Sequence, residues 1–161
     1  LVTKPSQREL FKLNVKILKN VLKIDPTTLP PPHPHVAILR KMLNIKSTLI
    51  DCYKDYISAV ADENKNKSEE KIRGLCLDAS FNANWSHLAS PDGTDADPLI
   101  MAQDYLESWK TDIQVSDIRV SDMTAQVVLG NKKEAQCLKI KLTTLNSIYK
   151  ISSVQLCSKT P

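Results

Sequence analysis

The sequence predicts an α+β domain: N-terminal helices packed on one face of a curved antiparallel sheet of at least four strands. Three observations lead there. Up to about residue 90, apolar residues recur at threes and fours, the helical period. From Ile113 onward they alternate, the period of a half-buried strand. Between the two lies a loop-rich stretch, Asp95 to Trp109 (DADPLIMAQDYLESW), where one architecture gives way to the other.

The first helix is expected over about Arg8 to Ile24. Leu10, Leu13, Ile17, Val21 and Ile24 form its apolar stripe. Lys12, Lys16, Lys19 and Lys23 share another face. That basic face suits solvent or an acidic protein partner. No aromatic residues alternate with the lysines, which argues against nucleic acid. Residues 25–35 (DPTTLPPPHPH) carry five prolines and read as an extended connector. His33 and His35 lack a third ligand, so no metal is expected. A second helix follows from Pro34 or Val36 to about Ala61, with a possible break near Asn44–Ser47. The chain therefore divides into a basic helical arm with a Pro-rich connector (1–47) and an α+β domain (48–161).

Beyond a polar turn at 61–71, Ser68 is placed to restart a helix through IRGLCLDASF. Phe81, Trp85 and Leu88, four and three apart, suit another short helix. ASPDGTDAD (89–97) is a turn-rich loop. Asp92, Asp95 and Asp97 lack the further ligands of a calcium loop. Asp97-Pro98 instead starts a turn whose carboxylate caps exposed N–H groups, while Gln103 and Asp104 bond loop backbone. Tyr105, Leu106 and Trp109 are expected to bury. Asp104 and Glu107 have no pocket chemistry around them to act as an acid–base pair.

In the strand-rich half, Ile113 and Val115 share one parity and Ile118 and Val120 the other, as a bulge near Ser116–Asp117 would give. Met123, Ala125, Val127 and Leu129 follow, then a turn at 130–133. Leu138, Ile140 and Leu142 face in while Lys139, Lys141 and Thr143 face out. A turn at Asn146-Ser147 leads to Tyr149 and Ile151, then Val154 and Leu156 after a second shift.

Hydrophobic residues make up 42% and charged residues 25%, enough for a core without structural metals. With only three glycines, Gly-rich phosphate loops are unsupported. The net charge of +4 is uneven: residues 1–48 hold nine Lys or Arg against two Asp or Glu. No cysteine belongs to a CxxC motif. The even count of Cys52, Cys76, Cys137 and Cys157 is compatible with two disulfides, and Cys137 and Cys157 fall nearly opposite on the outer sheet face. At least one disulfide is expected, which favours an oxidising compartment such as a periplasm. The chain opens Leu-Val-Thr-Lys, compatible with removal of a signal peptide or lipoprotein leader. Membrane attachment is expected only through such a lipid anchor.

The pattern YKDYISAV, then DADPLIMAQDYLESWKTDIQV, then a meander closing in YKISSVQL, resembles a family of exported bacterial proteins of unknown function. The resemblance covers about residues 48–157 and is most specific at D-P-x-x-x-A-Q-D-Y (97–105) with Trp109. It implies a cystatin-like, or nuclear-transport-factor-2-like, fold, related in shape to toxin-immunity proteins that include inhibitors of type VI amidases. Tyr149 stands where the family often has Trp, and residues 1–47 have no counterpart.

No nucleophile–base pair, metal cluster or cofactor site emerges. The expected function is a non-catalytic exported binding module, an immunity protein that neutralises a secreted cell-wall-degrading toxin. Asp92, Asp95, Asp97, Gln103 and Asp104 are the partner-binding residues of this reading. The alternative is a periplasmic lipoprotein domain holding a small ligand or cell-wall fragment in a concave pocket. Homodimerisation through the N-terminal helices is a further expectation.

Overall fold

The computed structural model describes residue 12, residues 34–64 and residues 67–158. Of the basic face, Lys12 is helical and exposed, whereas Lys16, Lys19 and Lys23 lie outside the described residues. The first predicted helix otherwise falls outside them too, as does most of the Pro-rich connector.

Helix α1, Pro34–Val60, has 27 residues and is about 40 Å long. It begins inside the predicted connector, with His35 exposed in its first turn. Pro34 suits that place because a first-turn N–H has no intrahelical acceptor to lose. The helix runs unbroken through Asn44–Ser47, and the division placed at residue 47 falls inside it. Ile45 explains the continuity. It is fully buried on the same stripe as Leu49, Tyr53 and Tyr56. Burying an Ile contributes about 2 kcal/mol, against about 0.5 kcal/mol of unfavourable helix propensity.

Helix α2, Glu69–Cys76, starts at Ser68, whose hydroxyl accepts from the Lys71 N–H at 3.1 Å. It does not continue through IRGLCLDASF as expected. Leu77 turns extended and forms a parallel bridge with Ile151. Asp78 then caps a new helix, accepting from the Phe81 N–H at 2.8 Å. Two single-turn helices follow, α3 (Ala79–Ala83) and α4 (Trp85–Ala89). Phe81 and Trp85 stack with centroids 6.1 Å apart, and Arg73 lies over the Trp85 ring.

After a 3-10 turn at Glu107–Lys110 comes the sheet: β1 (Ile113–Arg119), β2 (Thr124–Leu129), β3 (Gln136–Leu145) and β4 (Ile148–Leu156), in the order β1-β2-β3-β4 and antiparallel throughout. The predicted bulge is present. Two β1 residues, Asp117 and Ile118, oppose the single Ala125 of β2, and Asp117 adopts φ 48°. The second shift places an extra residue, Ser152, in β4. Asn146 and Ser147, both at positive φ, form the two-residue turn whose twist matches a hairpin.

One face of the sheet carries Val115, Ala125, Val127, Leu129, Leu138, Ile140, Leu142 and Ile151, all buried with the α1 stripe in a single core. Leu156 departs from expectation: it pairs with buried Leu138 but is 51% exposed at the end of the edge strand. Cys137 and Cys157 are bonded across β3 and β4, and Cys52 and Cys76 tie α1 to α2. Among the described residues, no helix is long and apolar enough to cross a membrane.

Candidate functional site

The segment from Ser90 to Leu106 leaves the helices, crosses one end of the core and returns to β1. Its middle is fastened from the inside. Leu99 and Ile100 are fully or almost fully buried. The Tyr53 hydroxyl, itself buried, donates to the Leu99 carbonyl at 2.8 Å. The Gln136 side-chain amide donates to the carbonyls of Ile100 (3.2 Å) and Met101 (3.0 Å). Tyr53 reaches the loop from α1 and Gln136 from β3.

Asp97 supplies the third fastening. One carboxylate oxygen accepts from the N–H groups of Leu99 (2.8 Å) and Ile100 (3.3 Å), the predicted capping role. The other accepts from the Tyr56 hydroxyl at 2.5 Å. Burial raises the Asp97 pKa above the ordinary carboxylate value, while the Tyr56 bond and the two N–H bonds pull it back. Burial is also the main cause of the raised phenol pKa values of Tyr53 and Tyr56, with the nearby Asp97 charge adding to it. Asp97 therefore acts within the fold. Of the expected partner-binding residues, Asp97 is the one whose carboxylate turns inward, toward Tyr56 on α1.

The outer limb is knitted to itself. The Thr94 N–H and hydroxyl both donate to the Leu88 carbonyl, and the N–H groups of Gly93 and Asp95 donate to the Ser90 carbonyl. Gly93 passes so close to the end of α4 that an added Cβ would sit 2.5 Å from the His87 oxygen. Asp95 and Met101 hold positive φ values of 52° and 55°. An aspartate visits that region readily, whereas a methionine there is strained by about 1–3 kcal/mol. The surrounding bonds over-determine this backbone.

Outside this frame, Asp92, Asp95, Gln103 and Asp104 are exposed. Gln103 reaches the Asp95 carbonyl at 3.4 Å, and Asp104 accepts from the Tyr105 N–H at 2.8 Å, both as expected. Glu107 pairs with Lys110 at 2.8 Å rather than with Asp104. Trp109 is buried and its indole donates to the Glu134 carbonyl at 2.7 Å. Tyr105 is half-buried, but Leu106 is 43% exposed. It precedes the 3-10 turn in an extended conformation. Sequence reasoning missed Leu106 as a surface residue and Gln136 as a loop anchor. A polar residue opening an otherwise apolar strand was the available signal for the second.

Beside the loop, a cleft of about 380 Å³ lies between α3, α4 and β4, lined by Phe81, Asn84, His87, Met101, Ser153 and Val154 among others. Among the described residues, no three His, Cys, Asp or Glu side chains converge as metal ligands.

No family model matches the sequence, and no curated protein matches it. Solved structures do share the fold. A protein of unknown function from Bacteroides thetaiotaomicron VPI-5482 superposes with a TM-score of 0.59 at 19% identity, over 74% of this chain and 97% of its own. A chain of the type VI native effector-immunity complex Tae3-Tai3 from Ralstonia pickettii superposes with a TM-score of 0.58 at 16% identity, over 71% of this chain and 96% of its own. Both likenesses establish a shared α+β architecture.

Proposed function

We propose that this chain is a non-catalytic, exported protein-binding module, an immunity protein that inhibits a secreted cell-wall-degrading toxin such as a type VI amidase. The observation that carries the reading is the loop at 89–107. Its backbone is fixed from within by Tyr53, Tyr56 and Gln136, while Asp92, Asp95, Gln103, Asp104 and Leu106 face outward. A rigid loop does not have to be ordered when it binds, which preserves affinity. Leu106 offers an apolar anchor, and the flanking carboxylates select a cationic rim. The likeness to a chain of an effector-immunity complex supports a protein partner. Two disulfides support an oxidising compartment, such as a periplasm.

The test is calorimetric titration with any secreted cell-wall-degrading effector encoded beside this chain's gene. Alanine at Asp92, Asp95, Asp104 and Leu106 together is expected to weaken binding by about a hundredfold. Unchanged affinity would remove the loop from the interface. The cleft beside α3 and α4 is where the second reading, a small ligand or cell-wall fragment, would find its place. Native mass spectrometry of the purified chain distinguishes it by a co-purifying small molecule.

A further inference from the structure

The core face of the sheet is covered by helices; the other face meets the α2–α3 junction at one end, through Thr143 and Lys150, and is exposed at Lys139 and Lys141. The strand register gives the open face a defined pattern. Lys139 of β3 stands between Gln126 of β2 and Gln155 of β4, and Lys141 stands between Thr124 and Ser153. Both lysines are exposed. One row further on, Thr143 pairs with Lys150, whose ammonium donates to the Leu75 carbonyl. No carboxylate occurs in these rows. The acids nearby are Asp117, paired with Arg119 at 3.2 Å, Asp122, and Asp78, which accepts from the Thr143 hydroxyl at 3.5 Å. A shallow groove of about 340 Å³ runs from Asp117, Arg119 and Asp122 at one end past Thr124 and Gln126 to Lys139 at the other.

Opposite charges across neighbouring strands usually neutralise each other on an exposed sheet face. Here the residues paired with two adjacent cations on both flanking strands are uncharged. We infer that this open face, centred on Lys139 and Lys141, is a second docking surface, fitted to an acidic stretch of polypeptide. The two ammonium groups project from alternate residues of one strand, about 7 Å apart. An extended segment with Asp or Glu at every second position repeats at the same pitch. Gln126, Gln155 and Thr124 can bond its backbone. These rows carry no aromatic residue on which a base could stack, so the charge pattern favours protein over nucleic acid.

Fluorescence anisotropy with a labelled ten-residue peptide of alternating Glu and Ser tests this on the intact, oxidised chain. Wild type is expected to bind and to weaken as sodium chloride rises from about 20 to about 200 mM. The double reversal K139E/K141E is expected to lose about tenfold or more in affinity. K41E/K54E, on exposed positions of α1, should change it less than about twofold. Alanine at Asp92, Asp95 and Asp104 should leave it intact, which separates this surface from the loop. The inference is overturned if wild type fails to bind at low salt, or if K139E/K141E binds as well as wild type. It is overturned equally if a ten-nucleotide single strand or phosphatidylserine vesicles bind the same lysines more tightly than the peptide. Thermal melts of both reversal variants verify that each remains folded.

Discussion

Replacing Tyr56 by Phe removes one oxygen from the centre of the loop's internal frame. The ring stays and keeps its edge-on contact with Trp85, centroids 6.0 Å apart. What is lost is the 2.5 Å bond to Asp97. A hydrogen bond to a charged group in a largely buried site is worth about 1.5–3 kcal/mol, or about 4–10 °C in melting temperature for a chain of this size. The pH dependence is the sharper signature. Asp97 has a raised pKa in the fold. The native state therefore holds its proton more tightly than the unfolded chain. This group's contribution is fully present below the unfolded value, near 3.8, and lost as pH rises through the folded value. The Tyr56 hydroxyl lowers that folded value, so deleting it raises the value further. The deficit of Y56F should be largest near pH 7.5 and shrink as pH falls to about 4. Urea unfolding of both proteins at the two pH values measures it, since other carboxylates cancel in the difference. In an Asp97→Asn background the Y56F deficit should lose its pH dependence. A deficit equal at both pH values, or below about 0.5 kcal/mol throughout, would refute the assignment of Asp97 as a buried carboxylate held by Tyr56.

Other expectations follow from single contacts. Gly130 has φ 80°, and an added Cβ would lie 2.6 Å from Trp109. Gly130→Ala should destabilise by about 2 kcal/mol or more, with a change in tryptophan fluorescence of the native state. Removing the Cys137–Cys157 bridge, which spans 20 residues of sequence, should cost about 3 kcal/mol in denaturant unfolding. Gln136→Leu deletes both bonds to the Ile100 and Met101 carbonyls. Hydrogen exchange should then quicken over 97–102 while β2 and β3 remain protected.

The alternation of Leu138, Ile140 and Leu142 with Lys139 and Lys141 made β3 legible, because each strand residue faces either core or solvent. The parity change from Val115 to Ile118 likewise exposed the bulge. Cys137 opposite Cys157 followed from counting outward from a two-residue turn. The helical half was harder to read. The weak helix formers at 45–48 suggested a break because Ile45's packing partners lie far away in sequence. Asp78 interrupted α2 at a position whose apolar spacing favoured continuation. The loop was half legible. Asp97's capping of Leu99 and Ile100 is local and was anticipated. Its bond to Tyr56 joins residues 41 apart and left no local trace. A hint lay in α1 itself, since Tyr53 and Tyr56 carry hydroxyls on its apolar stripe, and a buried hydroxyl needs an acceptor.

The division of labour within the loop follows from that need. Two tyrosines on the core face of a helix must find acceptors, and the loop backbone and Asp97 provide them. Satisfying these core hydroxyls therefore fixes the path of the loop. Once the path is fixed, the exposed side chains of Asp92 and Leu106 can vary in chemistry without changing the frame beneath them. Fixing a residue's backbone costs about 1–2 kcal/mol, and folding has already met that cost across the pinned segment. A partner gripping this loop would then keep most of the contact energy as affinity. The same logic makes the internal and external residues separable: Tyr56 or Gln136 variants should weaken binding by loosening the loop, with faster exchange at 97–102, whereas Leu106 variants should weaken it with exchange unchanged.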